Sequence, residues 1–384
     1  MSVAIDYTSG AFAANEAQKV GTITGSTLDV SSGQYFDFTP TADTTFAFSN
    51  APASGTAAGF ALAVTGANVG SGYDLANASY DSVSFDISSQ DGQPTGVVFN
   101  STGTKMYVAG WVNSSIFQYS LSSAFDLSTA SYDNVSFSVS SQDSSPFGVS
   151  FNNDGTKMYV VGFSSGAVFQ YSLSSAFDLS TASYDNVSFS VSSQDSSPFG
   201  VSFNLDGSKM YVTGNASNSV FQYSLSSAFD LSTASYDSIS FSVSSQDGTP
   251  SGISFNLDGS KMYICGASND SVFQYSLSSA FDLSTASYDS LSFSVSSQDS
   301  NPYGMVFNSD GTKMYIVGFS TDVVYQYSTA SSPAPATFTY PTSVKWPSGT
   351  APDAPATGET DVLVFYTEDG GTTYQGFQAG DAMA

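Results

Sequence analysis

The chain is predicted to be all-β: a five-bladed β-propeller inserted into a small β-sandwich-like module. Three observations predict it. A unit of 52 residues is written five times through the middle of the sequence, each unit offers four short apolar segments, and the flanking stretches look like two halves of one domain. The repeat is strict: Tyr-Ser-Leu-Ser-Ser-Ala-Phe-Asp-Leu-Ser-Thr-Ala-Ser-Tyr-Asp recurs unchanged at 119–133, 171–185, 223–237 and 275–289. A unit this short cannot bury a core alone, so neighbouring copies must stack, and a 40–50-residue period with several short strands marks a propeller.

In the second copy the four expected strands are Asn134–Ser140 (D), Phe147–Asn152 (A), Lys157–Gly162 (B) and Val168–Leu173 (C). Strand D alternates Val135, Phe137 and Val139 with serines, the period-two pattern of one apolar face. Strand B, Met158-Tyr159-Val160-Val161, is apolar throughout and is expected to be covered on both sides. Between A and B, Asp154-Gly155 signals a hairpin, because glycine accepts positive φ. It recurs at Asp206-Gly207, Asp258-Gly259 and Asp310-Gly311, whereas the first copy keeps only the glycine, as Thr102-Gly103. These aspartates read as turn residues, since the Asp-x-Asp-x-Asp spacing of a calcium loop is missing. No metal or other cofactor is expected.

Type D strands begin near 83, 135, 187, 239 and 291, and an A–B–C set follows each. The last set, ending at Val323–Ser328, lacks a D strand after it, and the first D strand, Val83–Ser88, has no set before it. Pairing these two closes the ring by a three-plus-one exchange and removes exposed sheet edges.

Composition narrows the function classes. The 33 acidic residues against 7 lysines, with no arginine or histidine, give a net charge of −26. Phosphate recognition lacks its usual donors, which argues against nucleic acid as a partner. The missing histidine removes the usual general base and the commonest metal ligand, so a histidine-based triad or zinc centre is excluded. Charged residues are only 10% of the chain, so the surface reads as neutral and Ser/Thr/Asn-rich rather than salt-adapted. Cys265 stands where other copies carry Ala109, Val161, Thr213 and Val317, and reads as a small buried side chain. The start of the chain carries no visible export signal, and no segment reaches a membrane span of about 18 apolar residues.

The flanks hold the pieces Gln34–Thr39, Thr44–Gly55 and Gly59–Thr65 before the repeats, then Ala336–Pro352 and Asp361–Phe377 after them, with a hairpin expected around Asp369-Gly370-Gly371. Joined head to tail, Thr45–Gly55, Val344–Pro352 (Val-Lys-Trp-Pro-Ser-Gly-Thr-Ala-Pro) and Asp369–Phe377 (Asp-Gly-Gly-Thr-Thr-Tyr-Gln-Gly-Phe) resemble a β-rich module of tail-fibre and other virion structural proteins of tailed bacteriophages. The Phe-Asn-x-Asp-Gly-Thr-Lys-Met-Tyr-Val stretch, complete in the second copy at 151–160, resembles blades of WD-repeat-like and YVTN-type propellers, which speaks to fold and not to function. The expected division is a split module at 34–66 and 335–384, the propeller at 73–330, and a separate attachment or assembly segment at 1–33. The resemblance implies a virion location, other virion proteins as partners and a homotrimer.

The copies themselves show where the repeat varies. The C-to-D connections and A-to-B turns are nearly constant and are expected on the face next to the host module. Variation collects after strand B, at Trp111, Asn113, Phe163, Asn215, Asp270, Phe319 and Asp322, and after strand D, at Phe147, Phe199 and Tyr303. Both connections project from the opposite face of a propeller. Aromatic rings stack on apolar sugar faces while short polar groups meet hydroxyls, so these ten residues are the candidate ligand-binding set. The bland alternative is that the rings pad loops and blade junctions.

Three function classes follow. The preferred expectation is a bacteriophage surface protein of tail-fibre or adhesin type, whose propeller binds a host-surface glycan or protein, with five similar loops permitting multivalent attachment. The second is a capsid decoration or fibre-spacer protein without receptor binding. A polysaccharide-degrading enzyme is the third. It needs two carboxylates in unlike environments, yet the three glutamates, Glu16, Glu359 and Glu368, lie outside the propeller, and Asp91, Asp143, Asp195, Asp247 and Asp299 repeat in every copy. No catalytic residue is assigned.

Overall fold

The computed structural model describes residues 19–40, 44–66, 68–69, 72–330 and 334–383. The chain divides into two compact units, Met1–Ser71 with Ser332–Ala384, and Gly72–Ser331. Residues 1–18 of the expected attachment segment, and parts of both linkers, lie outside the described residues.

The second unit is the five-bladed propeller. Each blade is a four-stranded antiparallel sheet in the order A–B–C–D. In blade 1 the strands are Pro94–Phe99, Lys105–Gly110, Ser115–Leu121 and Ala130–Ser138. Blade 2 begins at Pro146, blade 3 at Pro198, blade 4 at Pro250 and blade 5 at Pro302. Strand D starts about four residues before the alternating pattern does. Ala130–Tyr132 pair with Tyr119–Leu121 first, then a bulge falls at Asp133-Asn134, with Asn134 at φ +57°, before Val135 pairs with Gln118. The bulge interrupts the period of two, which is why pattern alone began the strand at 134. It also twists the outermost edge, a device that discourages sheet-to-sheet pairing.

Blade 5 is completed by Ser79–Asp86, which pairs with Val323–Ser328 from Val323↔Asp86 to Ser328↔Ser79. The incoming segment takes the place of the C-to-D connection. Leu75–Asn77 forms the same 3-10 turn as Leu127–Thr129, and Tyr73 lies against Gly311 as Phe125 lies against Gly103. Tyr263 Oη then donates to Tyr73 O at 2.7 Å, as Tyr211 donates to Phe281 O one blade earlier.

Blades are held to one another by two means. The Met-Tyr-Val-Val run of strand B is at most 1% exposed, and its tyrosine packs into the next blade, so each hydrophobic cluster straddles two blades. A polar chain runs beside it. Lys157 Nζ meets Asp185 at 3.0 Å, Gln170 Nε2 donates to the same carboxylate at 2.8 Å, and Gln170 Oε1 accepts Leu231 N of the next blade at 2.9 Å. The closing junction repeats it: Lys313 and Gln326 hold Asp81, and Gln326 accepts Leu127 N at 3.0 Å.

At Asp81, Asp133, Asp185, Asp237 and Asp289 burial opposes ionisation, but lysine, serine and glutamine donors outweigh it and hold each carboxyl below its ordinary value. A depressed folded pKa lends stability that is complete above the unfolded value of about 3.9 and is lost as pH falls through the folded value. Urea midpoints are therefore expected to fall steeply below about pH 4. A midpoint unchanged between pH 5 and pH 2.5 would contradict this.

Cys265 is fully buried on strand B of blade 4, and burial pushes its thiol up to about 12. The thiolate is the reactive form. Native protein is expected to ignore a disulfide reagent at pH 8 that titrates one thiol after unfolding.

The first unit is built by both flanks together. Ala58–Thr65 pairs antiparallel with Thr360–Thr367 over eight positions, from Ala58↔Thr367 to Thr65↔Thr360. These strands centre a five-stranded sheet whose other members are Tyr35–Phe38, Tyr374–Met383 and Val344–Lys345. The Asp369-Gly370-Gly371 turn joins Thr360–Thr367 to Tyr374–Met383: both glycines have φ near +75°, and Asp369 Oδ1 accepts Thr373 N at 2.8 Å. Residues 19–33 do not stand apart from this module. Thr22–Thr24 and Thr27–Asp29 form a hairpin that pairs in parallel with Ala47–Ser49, and Leu28 is completely buried beside Phe36, Phe46, Phe60 and Phe365. Their strands of three residues are too short to show a period. Among the described residues no helix is long and apolar enough to cross a membrane.

Candidate ligand-binding face

The B-to-C turns and D-to-A loops of each blade are joined by one buried carboxylate. Asp195, 3% exposed, accepts Ser197 N at 2.7 Å within its own loop, and Ser217 N and Oγ at 2.7 and 2.6 Å from the B-to-C turn. Asp91, Asp143 and Asp247 likewise bridge loop to turn by backbone amides, and Asp299 does so through Asn301 N and Thr321 Oγ1. Gly110, Gly162, Gly214, Gly266 and Gly318 face these carboxyl groups, and a Cβ there would lie 2.4–2.5 Å from a carboxyl atom. The repeated Gln-Asp is thus a turn clamp.

Above the clamps the aromatic residues converge. Phe147, Phe199 and Tyr303, from the A strands of blades 2, 3 and 5, meet at the narrow central channel that the A strands of all five blades line: Phe147 and Phe199 stack with centroids 4.3 Å apart, and Tyr303 lies 5.6 and 5.5 Å from them. Around this trio Phe163 sits 5.2 Å from Phe147, Phe319 sits 4.5 Å from Tyr303, and Trp111 bridges Phe147 and Phe319 at 5.7 Å from each. Trp111 Nε1 is anchored by Ser145 Oγ at 3.0 Å. The result is one composite arc drawn from four blades instead of five equivalent loop sites.

Phe147 and Phe199 are buried and plug the mouth of the channel, so for them the padding role holds. Trp111, Phe163, Tyr303 and Phe319 are half-buried, with ring surface to spare. Val112, which variation among the copies did not single out, is 60% exposed next to Trp111. Its signal was an apolar residue at the position that Ser164, Ala216, Ser268 and Ser320 fill in the other copies.

The arc stops at blade 4, where Ser251 and Ala267 replace rings. Ser251 Oγ donates to Cys265 O and Pro302 O at 3.0 and 3.2 Å, as Thr95 Oγ1 donates to Pro146 O at 2.9 Å in blade 1. Asn113 is occupied by the fold: its amide donates to Gln90 O at 2.6 Å. Asn215 belongs to the B-to-C turn of blade 3 through its N–H to Ser197 O at 3.0 Å.

Asp270 and Asp322 occupy the last turn position, at φ +48° and +58°, which Ser114, Gly166 and Asn218 fill elsewhere. Burial raises both carboxyl groups above the ordinary range, reinforced at Asp270 by Asp299 and Asp247, and at Asp322 by Asp91, Asp86 and Asp299. One Asp322 carboxylate oxygen is shielded from solvent and meets no donor. Among the described residues no three acidic or cysteine side chains are grouped to hold a metal.

No family model matches the chain, and no curated protein matches it. Solved propellers are similar in fold. A putative 6-phosphogluconolactonase from Bacteroides uniformis aligns at 14% identity and TM-score 0.41, over 60% of this chain and 65%, just under two thirds, of its own. The Cps50 (Swd1) propeller domain of Myceliophteria thermophila aligns at 9% identity and TM-score 0.39, over 64% of this chain and 99% of its own. The periplasmic gluconolactonase PpgL of Pseudomonas aeruginosa aligns at 15% and 0.36, over 53% and 54%.

Proposed function

We propose that this protein is a bacteriophage virion surface protein, of tail-fibre or adhesin type, whose propeller binds a host-surface glycan or protein through the aromatic arc. The observation that carries the reading is the second tier of rings. Phe147, Phe199 and Tyr303 already close the channel, yet Trp111, Phe163, Phe319 and exposed Val112 extend an apolar surface beyond them. Half-exposed aromatic anchors with anchored polar edges are what a binding face uses. The split module supports the virion context through its resemblance, and with it other virion proteins as partners and a homotrimer. Catalysis is not part of this reading, because the repeated carboxylates are spent on clamping turns.

The buried pair Phe147–Phe199 favours the second reading, a decoration or spacer protein in which the rings serve the fold alone. Binding of the full chain to host cells and to a panel of envelope glycans separates the two. Saturable binding is expected, weakened at least tenfold, about 1.4 kcal/mol, by Trp111→Ala with Phe319→Ala at unchanged Tm. A folded wild-type chain that binds neither cells nor glycans would move the assignment to decoration.

A further inference from the structure

Charge in the propeller is sorted between its two ends. All five of its lysines open strand B and are tied to D-strand carboxylates at 2.5–3.0 Å. The B-to-C turns begin at the other end of that strand, roughly 17 Å away at about 3.3 Å per residue. At that end stand the five clamping aspartates together with Asp86, Asp270 and Asp322, and no lysine. The aromatic arc is thus bordered by negative charge alone, and a ligand bearing phosphate, sulfate or uronate groups would meet repulsion with no compensating donor.

Asp270 and Asp322 sharpen this. Their turn position requires only a residue that tolerates positive φ, which Ser114, Gly166 and Asn218 supply without charge. The two carboxylates are therefore surplus to the fold; Asp322 shares its turn with Phe319, which lies 4.5 Å from Tyr303, and Asp270 holds the same turn position in blade 4. A protonated amine offers such carboxylates charge-assisted donors, and it is also attracted to the faces of Trp and Tyr rings.

We propose that the arc takes a glycan of amino sugars with free, protonated amines, its rings lying on Trp111, Tyr303 and Phe319 and its ammonium groups meeting Asp322 and Asp270. The proposal rests on the receptor-face reading above and names its ligand class.

The test uses the full chain and calorimetric titration with four probes near pH 6: a β-1,4-glucosamine hexamer, its fully N-acetylated counterpart, an oligogalacturonate hexamer and hexalysine. The glucosamine hexamer is expected to bind at least tenfold more tightly than the acetylated one and to weaken with added salt, while oligogalacturonate does not bind. Asp270→Asn with Asp322→Asn is expected to erase the difference between the two hexamers. Asparagine already occupies this position at Asn218, so the variant should fold, and an unchanged Tm checks it. Equal or tighter binding of the acetylated hexamer, if lost in Trp111→Ala, overturns the amine assignment and leaves the receptor-face reading standing. Binding of oligogalacturonate, or hexalysine matching the glucosamine hexamer, overturns it as well. Failure of all four probes, with host cells still bound through Trp111 and Phe319, overturns the ligand class only; failure with cells too overturns both.

Discussion

Valine in place of Gly148 is expected to prevent the propeller from closing. Five glycines, Gly96, Gly148, Gly200, Gly252 and Gly304, sit on the innermost strands where neighbouring blades approach backbone to backbone. A Cβ on Gly148 would lie 2.7 Å from Phe199 O and 3.0 Å from Val201 N, and one on Gly304 would lie 2.8 Å from the Cα of Gly96. Each clash is with main chain of the next blade, so no rotamer change relieves it. Overpacking in a core costs about 1–3 kcal/mol where side chains can shift, and here whole sheets must move apart. The expected outcome is loss of soluble protein or a fall in Tm of more than about 10 °C, using the scale of several degrees per kcal/mol. Gly92→Ala is the control: nothing lies within 4 Å of that position, and its Tm should stay within about a degree or two, as for surface changes worth under about 0.5 kcal/mol. A Gly148→Val protein as stable as the control would refute the packing argument.

The second large effect is expected at the clamps. Asp195→Ala strips partners from Ser197 N, Ser217 N and Ser217 Oγ at once, in a place where the carboxylate was 3% exposed. Ala216 N, at 3.3 Å, loses its acceptor too; leaving a buried donor unsatisfied costs about 1–3 kcal/mol, and water entering the vacated space would satisfy some of the four. The net expectation is a loss of about 2–4 kcal/mol in urea unfolding at pH 7. Asp206→Ala provides the comparison. That carboxylate lies exposed in an A-to-B turn and accepts from Ser208 N and Oγ, so its loss should be under about 1 kcal/mol. Equal effects at the two sites would mean that the clamp is not what holds the variable loops.

Much of this fold was legible because the repeat states it five times. The blade number, the Asp-Gly turns and the pairing of the first D strand with the last A–B–C set need only the copies laid side by side, and the same comparison marked Asp195 and its equivalents as scaffold. What they clamp was not legible, since the amides of Ser197 and Ser217 come from loops 20 residues apart. The Leu127–Thr129 turn escaped because it depends on Asp126 accepting Ser128 N, a contact with no periodic signature. At the candidate site the six rings were named from variation alone, but their convergence on one arc required knowing that positions 147, 199 and 303 face the axis. The positive φ shared by Asp270 and Asp322 was likewise invisible, because Ser, Gly, Asn and Asp all satisfy it.

The offset between repeat and blade has a hereditary consequence. Because each blade takes three strands from one 52-residue unit and its fourth from the next, recombination between the identical 15-residue stretches would excise or duplicate a whole unit without leaving any sheet short of a strand. Such an event would discard one variable pair of loops or add another, reshuffling which rings border the axis. The same offset that shuts the ring thus lets a lineage redraw the arc of rings in single steps.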